Sequence, residues 1–279
     1  MIDLHNHILP GLDDGSRTFE ESIEMCRIGY RDGIRTIVAT PHTLNSVYET
    51  SRSTILAKVQ ELNAAIQETL FSVPSPSPEP QAGSEARRPD NPGPEFLSDS
   101  ANPMGLKILP GADVHFSEEV LSQRFQDKIT TIGDGGKFLL IEFPPWGVPH
   151  RAEAVLFDLL VRRITPVISH PERNLEIARR PQRYTDMVQM GCLGQITAAS
   201  LMGGFGRDAR QAAENLLRKN LVHFIATDAH SANGRPPILS DAVRAAAKIV
   251  GKEQARKMVT EYPQAILEGS RPSLPEPLL

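Results

Sequence analysis

The segment IRTIVATPH at residues 34–42 sets the pattern from which the fold can be predicted. The part before its proline is rich in β-branched side chains and hardly alternates between apolar and polar, which is typical of a parallel strand buried on both faces. Upstream, Thr18 and Glu21 can form a capping box for a helix through about Tyr30. With MIDL at 1–4 as a first strand, the chain begins as strand, loop, helix and strand.

This alternation continues along most of the chain. Strands are predicted at 1–4, 34–40, 107–111, 137–143, 164–170, 193–197 and 221–227. Helices are predicted at about 18–30, 54–70, 117–127, 151–163, 182–190 and 207–219. Repeated βα units close most simply into a parallel barrel whose functional site lies at the carboxyl ends of the strands. We therefore expect an α/β fold in which residues 1–270 form a single domain.

Two segments depart from this rhythm. Residues 72–105 contain many prolines interleaved with Ser, Glu, Gly and Asp, a composition that cannot bury enough apolar surface to offset its ordering entropy. We interpret this segment as a flexible surface insertion within the domain. Residues 271–279 have a similar composition and are predicted to form a loose C-terminal tail.

Length and composition exclude several classes of protein. A chain of 279 residues can bury a full-sized core, and a net charge of -4 with a pI near 6.1 argues against a nucleic-acid-binding surface. The two cysteines, Cys26 and Cys192, provide no disulfide framework and suit a reducing compartment. No secretion signal is evident and no apolar run approaches the roughly 20 residues that span a bilayer. We expect a cytoplasmic protein without membrane insertion.

Histidines and carboxylates follow the predicted strands. His5 and His7 lie two residues apart at a strand end, so their imidazoles point to the same side, as chelation requires. Asp228 and His230 repeat this spacing after the last strand. Glu142 ends the apolar run FLLIE, where a carboxylate is costly unless it is paired or bound to a cation. The candidate metal ligands are His5, His7, His42, Asp113, Glu142, His170, Asp228 and His230.

Each of these signals has an ordinary explanation when it is taken alone. His42 and His170 could be capping or hydrogen-bonding residues at a loop edge, and Asp113 could equally end a turn. Scattered residues would not follow strand ends so regularly, however, and the set as a whole favours a multinuclear metal site. The remaining histidines, His115, His150 and His223, are interpreted as non-ligands.

The residue types point to metal-assisted hydrolysis of a phosphate ester. Mixed imidazole and carboxylate ligands suit Mn²⁺, Fe²⁺ or Zn²⁺, and about eight of them suffice for two or three ions that share bridging carboxylates. Such ions can hold a bridging hydroxide and stabilise the entering and leaving oxygens. Arg173 and Arg235 lie a few residues beyond ligands, and Arg matches phosphoryl oxygens bidentately, although surface salt bridges are its common use.

The motifs MIDLHNHILPGLDDG, TPH, LLIEF, ISHPERN and TDAHSANGRPP, in this order, resemble the PHP (polymerase and histidinol phosphatase) superfamily. The resemblance is closest to the bacterial metal-dependent protein-tyrosine phosphatases of capsule and exopolysaccharide loci. It implies a distorted (β/α)7 TIM-like barrel with a trinuclear, Mn²⁺-preferring centre held by the same eight ligands. It also implies that Asp14, Arg173 and Arg235 are catalytic and phosphate-contacting residues. The family usually has Glu where this chain has Asp113, so one ligand arm is shorter.

Together these observations predict hydrolysis of phosphotyrosine on a protein. The resemblance implies that the partner is the tail of a tyrosine kinase that controls polysaccharide export. The expected mechanism is in-line attack by a metal-bridging hydroxide, while Arg173 and Arg235 offset the developing charge and Asp14 assists proton transfer or orients the nucleophile.

Two other functions stay open at this point. One is a small-molecule phosphatase that acts on a substrate such as histidinol phosphate. The other is a non-catalytic PHP scaffold that binds a kinase or polysaccharide-assembly protein through residues 72–105. A cysteine-dependent phosphatase is excluded, because the residues six positions after the two cysteines are Asp32 and Ala198 rather than Arg.

Overall fold

Parallel strands and helices alternate along the chain. The computed structural model describes residues 1–45, 47–48, 50–71, 105–118, 120, 122 and 128–278. In this part of the chain the strands are β1 (Ile2–Asn6), β2 (Thr36–Ala39), β3 (His42–Thr43), β4 (Lys107–Pro110), β5 (Asp113–His115), β6 (Phe138–Glu142), β7 (Thr165–Ser169), β8 (Leu193–Thr197) and β9 (Phe224–Ala226). The helices are α1 (Phe19–Arg31), α2 (Arg52–Phe71), α3 (Ala152–Val161), α4 (Leu175–Arg179), α5 (Gln182–Met190), α6 (Ala198–Leu201), α7 (Gly206–Arg218), α8 (Ser240–Val250), α9 (Lys252–Lys257) and α10 (Glu261–Leu267).

The strands form two parallel sheets, with the orders β1-β2-β4 and β3-β5-β6-β7-β8-β9. The α/β prediction with parallel strands is therefore confirmed. A single parallel bridge between Asn6 and Ala229 connects the end of β1 with the chain just after β9. At this bridge the His7 amide donates to the Ala229 carbonyl (2.9 Å) and the Asp228 amide donates to the His5 carbonyl (2.8 Å).

The short strands β3 and β5 each continue an earlier strand after a break of two residues. Thr40 and Pro41 separate β2 from β3, and Gly111 and Ala112 separate β4 from β5. Gly111 has no substitute here, because a Cβ at this position would lie 2.7 Å from Val38 Cγ1. The sequence predicted β2 and β4 but neither continuation, since strands of two or three residues are too short to show a periodic pattern.

Helix α1 begins as predicted but with a different use of Glu21. Thr18 Oγ1 accepts a hydrogen bond from the Glu21 amide (3.2 Å), as a helix N-cap does. The Glu21 carboxylate accepts from the Arg17 amide (3.0 Å) rather than from Thr18. The cap is therefore confirmed, whereas the reciprocal bond of a capping box is not made.

The other predicted helices correspond to α2, α3, α5 and α7 within a few residues. The helix predicted over 117–127 falls largely outside the described residues, and its described members adopt turn or irregular conformations. The sequence missed α8 because its N-terminus is capped from a distant part of the chain. The Asp32 carboxylate accepts hydrogen bonds from the amides of Leu239 (2.6 Å) and Ser240 (3.0 Å).

The C-terminal segment, predicted as a loose tail, makes hydrogen bonds with the rest of the chain. The Leu278 amide donates to the Lys219 carbonyl (2.8 Å), and Asn220 Nδ2 donates to the Glu276 carbonyl (2.9 Å). Arg271 also donates to the Gly191 carbonyl (2.9 Å). These bonds hold residues 271–278 against the ends of α5 and α7. Almost all of the Pro-rich insertion, residues 72–104, lies outside the described residues.

The hydrophobic core packs around the strands and leaves their carboxyl ends as the edge where polar side chains gather. Apolar side chains of the strands, such as Ile37 in β2, Ile141 in β6 and Ile168 in β7, are almost fully buried between the sheets and the helices. Polar side chains are buried mainly where the strands end, and this edge carries the predicted ligands. No helix in the described part of the chain is both long and apolar enough to cross a membrane.

Candidate metal centre

All eight predicted ligands meet at the carboxyl ends of the strands. They come from the ends of β1 and β6, from β3 and β5, from the residues that directly follow β1 and β7, and from the two to four residues after β9. Within the described residues, seven of them and Asp14 form three groups of His, Asp and Glu whose ligand atoms lie within 4.8 Å of one another, and His170 lies beside these groups. The groups are His5, His7 and Asp228; His42, Asp113 and Glu142; and His7, Asp14, His42 and His230. Because His7 and His42 each belong to two groups, the three groups form one cluster.

The first group brings two imidazole nitrogens face to face. His5 Nε2 and His7 Nε2 are 3.1 Å apart, and Asp228 Oδ1 lies 3.4 Å from each of them. His5 Nδ1 donates to Gln195 Oε1 (2.9 Å), and His7 Nδ1 bonds to Asp13 Oδ2 (2.6 Å). With its proton on Nδ1, His5 turns the lone pair of Nε2 towards His7 Nε2, and Asp228 Oδ1 faces both atoms. In the metal-free protein a proton on His7 occupies this position, and a bound cation would replace that proton, so the group fits a metal ion.

The second group contains buried polar atoms that no donor satisfies. His42 Nδ1 lies 3.6 Å from both Asp113 Oδ2 and Glu142 Oε2. His170 Nε2 extends this group, since it lies 3.5 Å from Glu142 Oε1 and 4.0 Å from Asp113 Oδ2. Asp113 Oδ2 and His42 Nδ1 are buried and have no hydrogen-bond partner in the described structure. Such atoms are costly unless a cation binds them, and the group fits a second ion.

Asp113 reaches the cluster in spite of its short side chain. Its Oδ2 lies 3.5 Å from His5 Nε2, in the first group, and 3.6 Å from His42 Nδ1, in the second. Its Oδ1 accepts a hydrogen bond from Ser169 Oγ (3.2 Å), which fixes the carboxylate plane. An Asp in place of the family's usual Glu therefore still stands between two groups.

The third group includes Asp14, which was predicted as a catalytic residue rather than a ligand. Asp14 Oδ1 lies 3.5 Å from His42 Nε2 and 3.5 Å from His230 Nε2. His230 and His7 are in ring contact, with centroids 4.0 Å apart. The hydrogen bond with His230 lowers the pKa of Asp14 below its usual value, so the carboxylate is ionised at neutral pH. Its position is that of a ligand atom, and its half-exposed side chain puts this group nearest to solvent.

Burial controls the charge states of the histidines. It lowers the pKa of His5 well below its usual value, and burial together with the Arg173 charge lowers the pKa of His170 to about 4. Both rings are therefore neutral at physiological pH. Burial opposes a charge on His7 as well, but the nearby carboxylates Asp13 and Asp228 outweigh it and raise the pKa of His7 to about 10.

Burial also acts on the carboxylates, with opposite outcomes. It raises the pKa of Asp113 well above its usual value, and the Glu142 charge adds to this effect. Burial acts in the same direction on Glu142, but the hydrogen bond with His115 and the charges of His170 and His42 outweigh it and lower the pKa of Glu142 to about 2. A divalent cation at the cluster would hold both carboxylates ionised, because opposite charge favours the charged form.

The two arginines lie beside the first group. Arg173 Nη1 donates to Asp228 Oδ2 (2.7 Å), and Arg235 Nη2 donates to the same oxygen (2.5 Å). The Phe205 ring lies under both guanidinium groups, at 4.3 Å from Arg173 Cζ and 5.2 Å from Arg235 Cζ. Both side chains keep about 30% of their surface exposed, with Arg173 at 29% and Arg235 at 30%. They are therefore salt-bridged to a candidate ligand and still open to an anionic substrate.

Two predicted ligands occupy backbone conformations that L-residues rarely adopt. His170 has a φ of 32° and Asp228 has a φ of 51°. Such conformations cost on the order of 1–3 kcal/mol each and persist where the surroundings enforce them, often at functional sites. Among the described residues, four other non-glycine residues also have a positive φ, so strain alone does not mark the site, but at His170 and Asp228 it falls on candidate ligands.

Several residues at this site were not predicted. His115, which was interpreted as a non-ligand, belongs to none of the three groups, but its Nδ1 lies 3.6 Å from Glu142 Oε2. The D-x-H spacing of Asp113 and His115, which repeats that of Asp228 and His230, could have indicated that His115 lies near the cluster. Gln195 and Phe205 contact His5 and Arg173 across long sequence separations, for which the sequence carries no signal. Asp13 and Tyr48 contact His7 and His42 from six residues further along the chain. His223 is buried and accepts from the Gly194 amide (3.0 Å), as expected for a core histidine.

Comparison with known proteins gives concordant matches over nearly the whole chain. Residues 1–74 and 97–268 match the family model described as capsular polysaccharide synthesis, CpsB/CapC, and the gap falls within the Pro-rich insertion. The tyrosine-protein phosphatase YwqE of Bacillus subtilis is 34% identical over 267 residues, which cover 96% of this chain and 91% of the relative. The putative tyrosine-protein phosphatase CapC of Staphylococcus aureus is 30% identical over 239 residues, covering 86% and 80%.

A solved structure is similar over the full length. It comes from a study of YwqE from Bacillus subtilis and CpsB from Streptococcus pneumoniae, which describes them as unique metal-dependent tyrosine phosphatases. The TM-score is 0.83 at 32% sequence identity, and the match covers 100% of this chain and 98% of the other.

Proposed function

The chain belongs to the CpsB/CapC family of capsular polysaccharide synthesis, and on this premise we propose that it is a metal-dependent protein-tyrosine phosphatase. It is a phosphoric monoester hydrolase whose substrate is phosphotyrosine on a protein. The observation that carries the proposal is the single cluster of three ligand groups beside two partly exposed arginines. Anion-binding groups next to a cationic centre are what phosphoryl transfer requires.

We assign His5, His7, His42, Asp113, Glu142, His170, Asp228 and His230 as metal ligands, and the geometry adds Asp14 to them. Imidazole and carboxylate together favour metals of the borderline class, and we propose two or three Mn²⁺ ions, with Fe²⁺ or Zn²⁺ as substitutes. The shared residues His7 and His42 support ions that lie close together. When bound, the ions supply Lewis-acid activation of the phosphoryl group and of the attacking water.

Arg173 and Arg235 bind the substrate phosphoryl group. Each guanidinium has five N–H donors and spends few of them on Asp228, so others are free to contact equatorial phosphoryl oxygens. The Phe205 ring holds both guanidinium planes in place, which limits the entropy lost on binding. The arginines therefore stabilise charge that develops on these oxygens in the transition state.

The leaving group makes little demand on a proton donor. A phenol has a pKa near 10, so the phenolate leaves far more readily than the alkoxide of serine. Asp14 is ionised and lies between two imidazoles, so it is not a proton donor to the leaving group. Of the two roles expected from the sequence, proton transfer or orientation of the nucleophile, this position favours orientation.

We also propose that the two sheets together form a distorted (β/α)7 barrel of the PHP type. The strand β2 leads into β3, and β4 leads into β5, so each pair counts as one bent strand. Seven strands then follow one another in sequence order, and the bridge between Asn6 and Ala229 joins the last to the first. Residues 1–270 would form this one catalytic domain, supported by the bond from the Ile2 amide to the Val259 carbonyl (2.8 Å).

The physiological partner that we propose is a bacterial tyrosine kinase that regulates capsular or exopolysaccharide synthesis. The family description as capsular polysaccharide synthesis supports this choice. We also expect the protein to be cytoplasmic, which remains a prediction from the sequence composition and agrees with a kinase partner.

The function is tested by phosphate release from three substrates: a phosphotyrosine peptide, a phosphoserine peptide of the same sequence, and histidinol phosphate. Metal-stripped protein is assayed with and without Mn²⁺. We expect Mn²⁺-dependent turnover that is confined to phosphotyrosine. Preference for histidinol phosphate would instead support a small-molecule phosphatase. Bound metal without turnover of any of the three substrates would instead support a non-catalytic scaffold.

A further inference from the structure

A cavity of about 110 Å³ opens directly from the ligand cluster. Part of its lining belongs to the site, namely Glu142, His170 and Arg173. The rest of the wall is largely apolar and includes Phe143, Pro145 and Pro171. A charged end and an apolar wall in one cavity match a ligand that carries an anionic group on a hydrophobic ring.

Hydrogen bonds fix the wall of this cavity. Three of them join the loop after β6 to the segment after β7: Asn174 Nδ2 donates to the Pro144 carbonyl (2.8 Å), the Leu175 amide donates to the Pro145 carbonyl (2.8 Å), and the Val148 amide donates to Glu176 Oε2 (2.9 Å). Arg183 further holds the loop through the Val148 and Pro149 carbonyls. The wall is therefore formed before a ligand binds, which reduces the entropic cost of binding.

Two large apolar side chains stand in solvent next to this wall. Trp146 directly follows the lining residue Pro145, and Leu175 directly follows the lining residue Asn174. Trp146 is 73% exposed and Leu175 is 51% exposed. The bond between the Leu175 amide and the Pro145 carbonyl keeps the two backbones together. Exposed aromatic and aliphatic side chains beside a preformed pocket are typical of sites that bind a partner.

We propose that the cavity binds the phenyl ring of phosphotyrosine and that Trp146 and Leu175 bind the neighbouring residues of the substrate protein. This inference rests on the proposed function and adds a subsite to it. The ring packs between Phe143, Pro145 and Pro171, while the phosphoryl group meets Arg173 and the ligand cluster. Since most ligands of the cluster are buried, a phosphoryl group has to be carried in on a long side chain. Serine, with its single methylene, would bring the peptide backbone against the wall.

The subsite is tested in Mn²⁺-loaded protein with Trp146→Ala and Leu175→Ala, and with Phe157→Ala as the matched control. Phe157 lies in α3 and is 54% exposed, but it does not line the cavity. We expect Trp146→Ala to raise KM for a phosphotyrosine peptide about tenfold, since loss of an aromatic anchor commonly costs this much affinity. Leu175→Ala should raise it less, and Phe157→Ala should leave it unchanged.

Binding can be followed directly, because Trp146 is the only tryptophan in the chain. A peptide with a hydrolysis-resistant phosphonate analogue of phosphotyrosine should change Trp146 fluorescence at the concentrations at which it inhibits. Inhibition without a fluorescence change, or normal turnover with unchanged KM in both variants, would overturn this inference and leave the proposed function standing. Absence of phosphate release by the wild-type protein would overturn both.

Discussion

Two fully buried aspartates, Asp3 and Asp113, show how differently one fold can treat the same side chain. Both oxygens of Asp3 are satisfied by the protein itself. Oδ1 accepts from the Thr227 amide (2.9 Å) and Oδ2 accepts from Thr227 Oγ1 (2.5 Å) and Asn6 Nδ2 (3.0 Å). Asp113 has one hydrogen bond, from Ser169, and its Oδ2 faces imidazole nitrogens without any donor.

The difference separates a carboxylate that the fold itself satisfies from one that we propose as a metal ligand. Asp3 ties β1 to the chain after β9, and its hydrogen bonds partly offset burial, which raises the pKa of Asp3 to about 6. Asp113 gains nothing comparable from the described residues, and the proposed cation would offset the cost of its burial.

The largest effect is expected from breaking this contrast with two matched substitutions, Asp113→Asn and Asp3→Asn. Asp113→Asn should lower kcat/KM for a phosphotyrosine peptide by on the order of a thousandfold, because it removes a charged ligand shared by two groups. The metal-free variant should unfold at the same urea concentration as the wild type or at a higher one, since the repulsion from Glu142 is gone.

Asp3→Asn should do the reverse. It should cost about 1–3 kcal/mol of stability, because donors of the fold lose an acceptor. Once folded and loaded with Mn²⁺, it should keep most of its activity. Urea unfolding and steady-state kinetics on both proteins check the pair. A stable, inactive Asp3→Asn together with an unstable Asp113→Asn would invert the assignment.

A smaller effect is expected from Asp13, which supports ligands without being one. Its carboxylate bonds to His7 Nδ1 (2.6 Å) and accepts from the His42 amide (2.9 Å). Asp13→Asn should weaken Mn²⁺ binding by roughly 10- to 100-fold, the usual range for residues that orient a ligating histidine. Metal titration measures this, with the exposed Glu24→Gln as control. Equal affinities for the two variants would show that Asp13 does not orient His7.

The smallest effect is expected on the pH dependence of stability, from His223. This buried histidine accepts a hydrogen bond from the Gly194 amide and is not part of the cluster. Burial lowers the pKa of His223 to about 3 in the folded protein, from an ordinary value of 6.5. The stability that comes from keeping it neutral is complete above pH 6.5 and is lost as the pH falls towards 3. Between pH 7 and pH 5 the wild type should lose about 2 kcal/mol more than His223→Gln. Urea unfolding of metal-free protein checks this, and parallel pH profiles would contradict it.

Much of the fold could be predicted because most strands lie within longer apolar runs of the sequence. The runs at 34–40 and 137–143 contain β2 and β6, and their neighbours lie at the predicted spacing. The short strands β3 and β5 carry too few residues for a pattern. Helix α8 was not predicted, and the hydrogen bonds of its first amides to Asp32, 207 residues upstream, leave no signal in the local sequence.

The ligand cluster was predictable for the same geometric reason. Parallel strands end at one edge, so residues that follow them converge, and the eight predicted ligands do so. Contacts that depend on side-chain packing across the sheet were not predictable. Gln195 lies within β8 rather than after it, and its bond to His5 Nδ1 connects residues 190 positions apart. The sequence predicted Asp14 as a catalytic residue, and its position between His42 and His230 is the basis for our proposal that it is also a metal ligand.

We propose that the three groups together hold metal ions and that phosphotyrosine hydrolysis depends on these ions. Inductively coupled plasma mass spectrometry should measure the Mn²⁺ content per chain, alongside turnover of a phosphotyrosine peptide by the same samples. We expect two or three ions per chain at full occupancy and turnover that rises only as they bind. Full turnover in protein that retains less than one ion per chain would contradict this proposal.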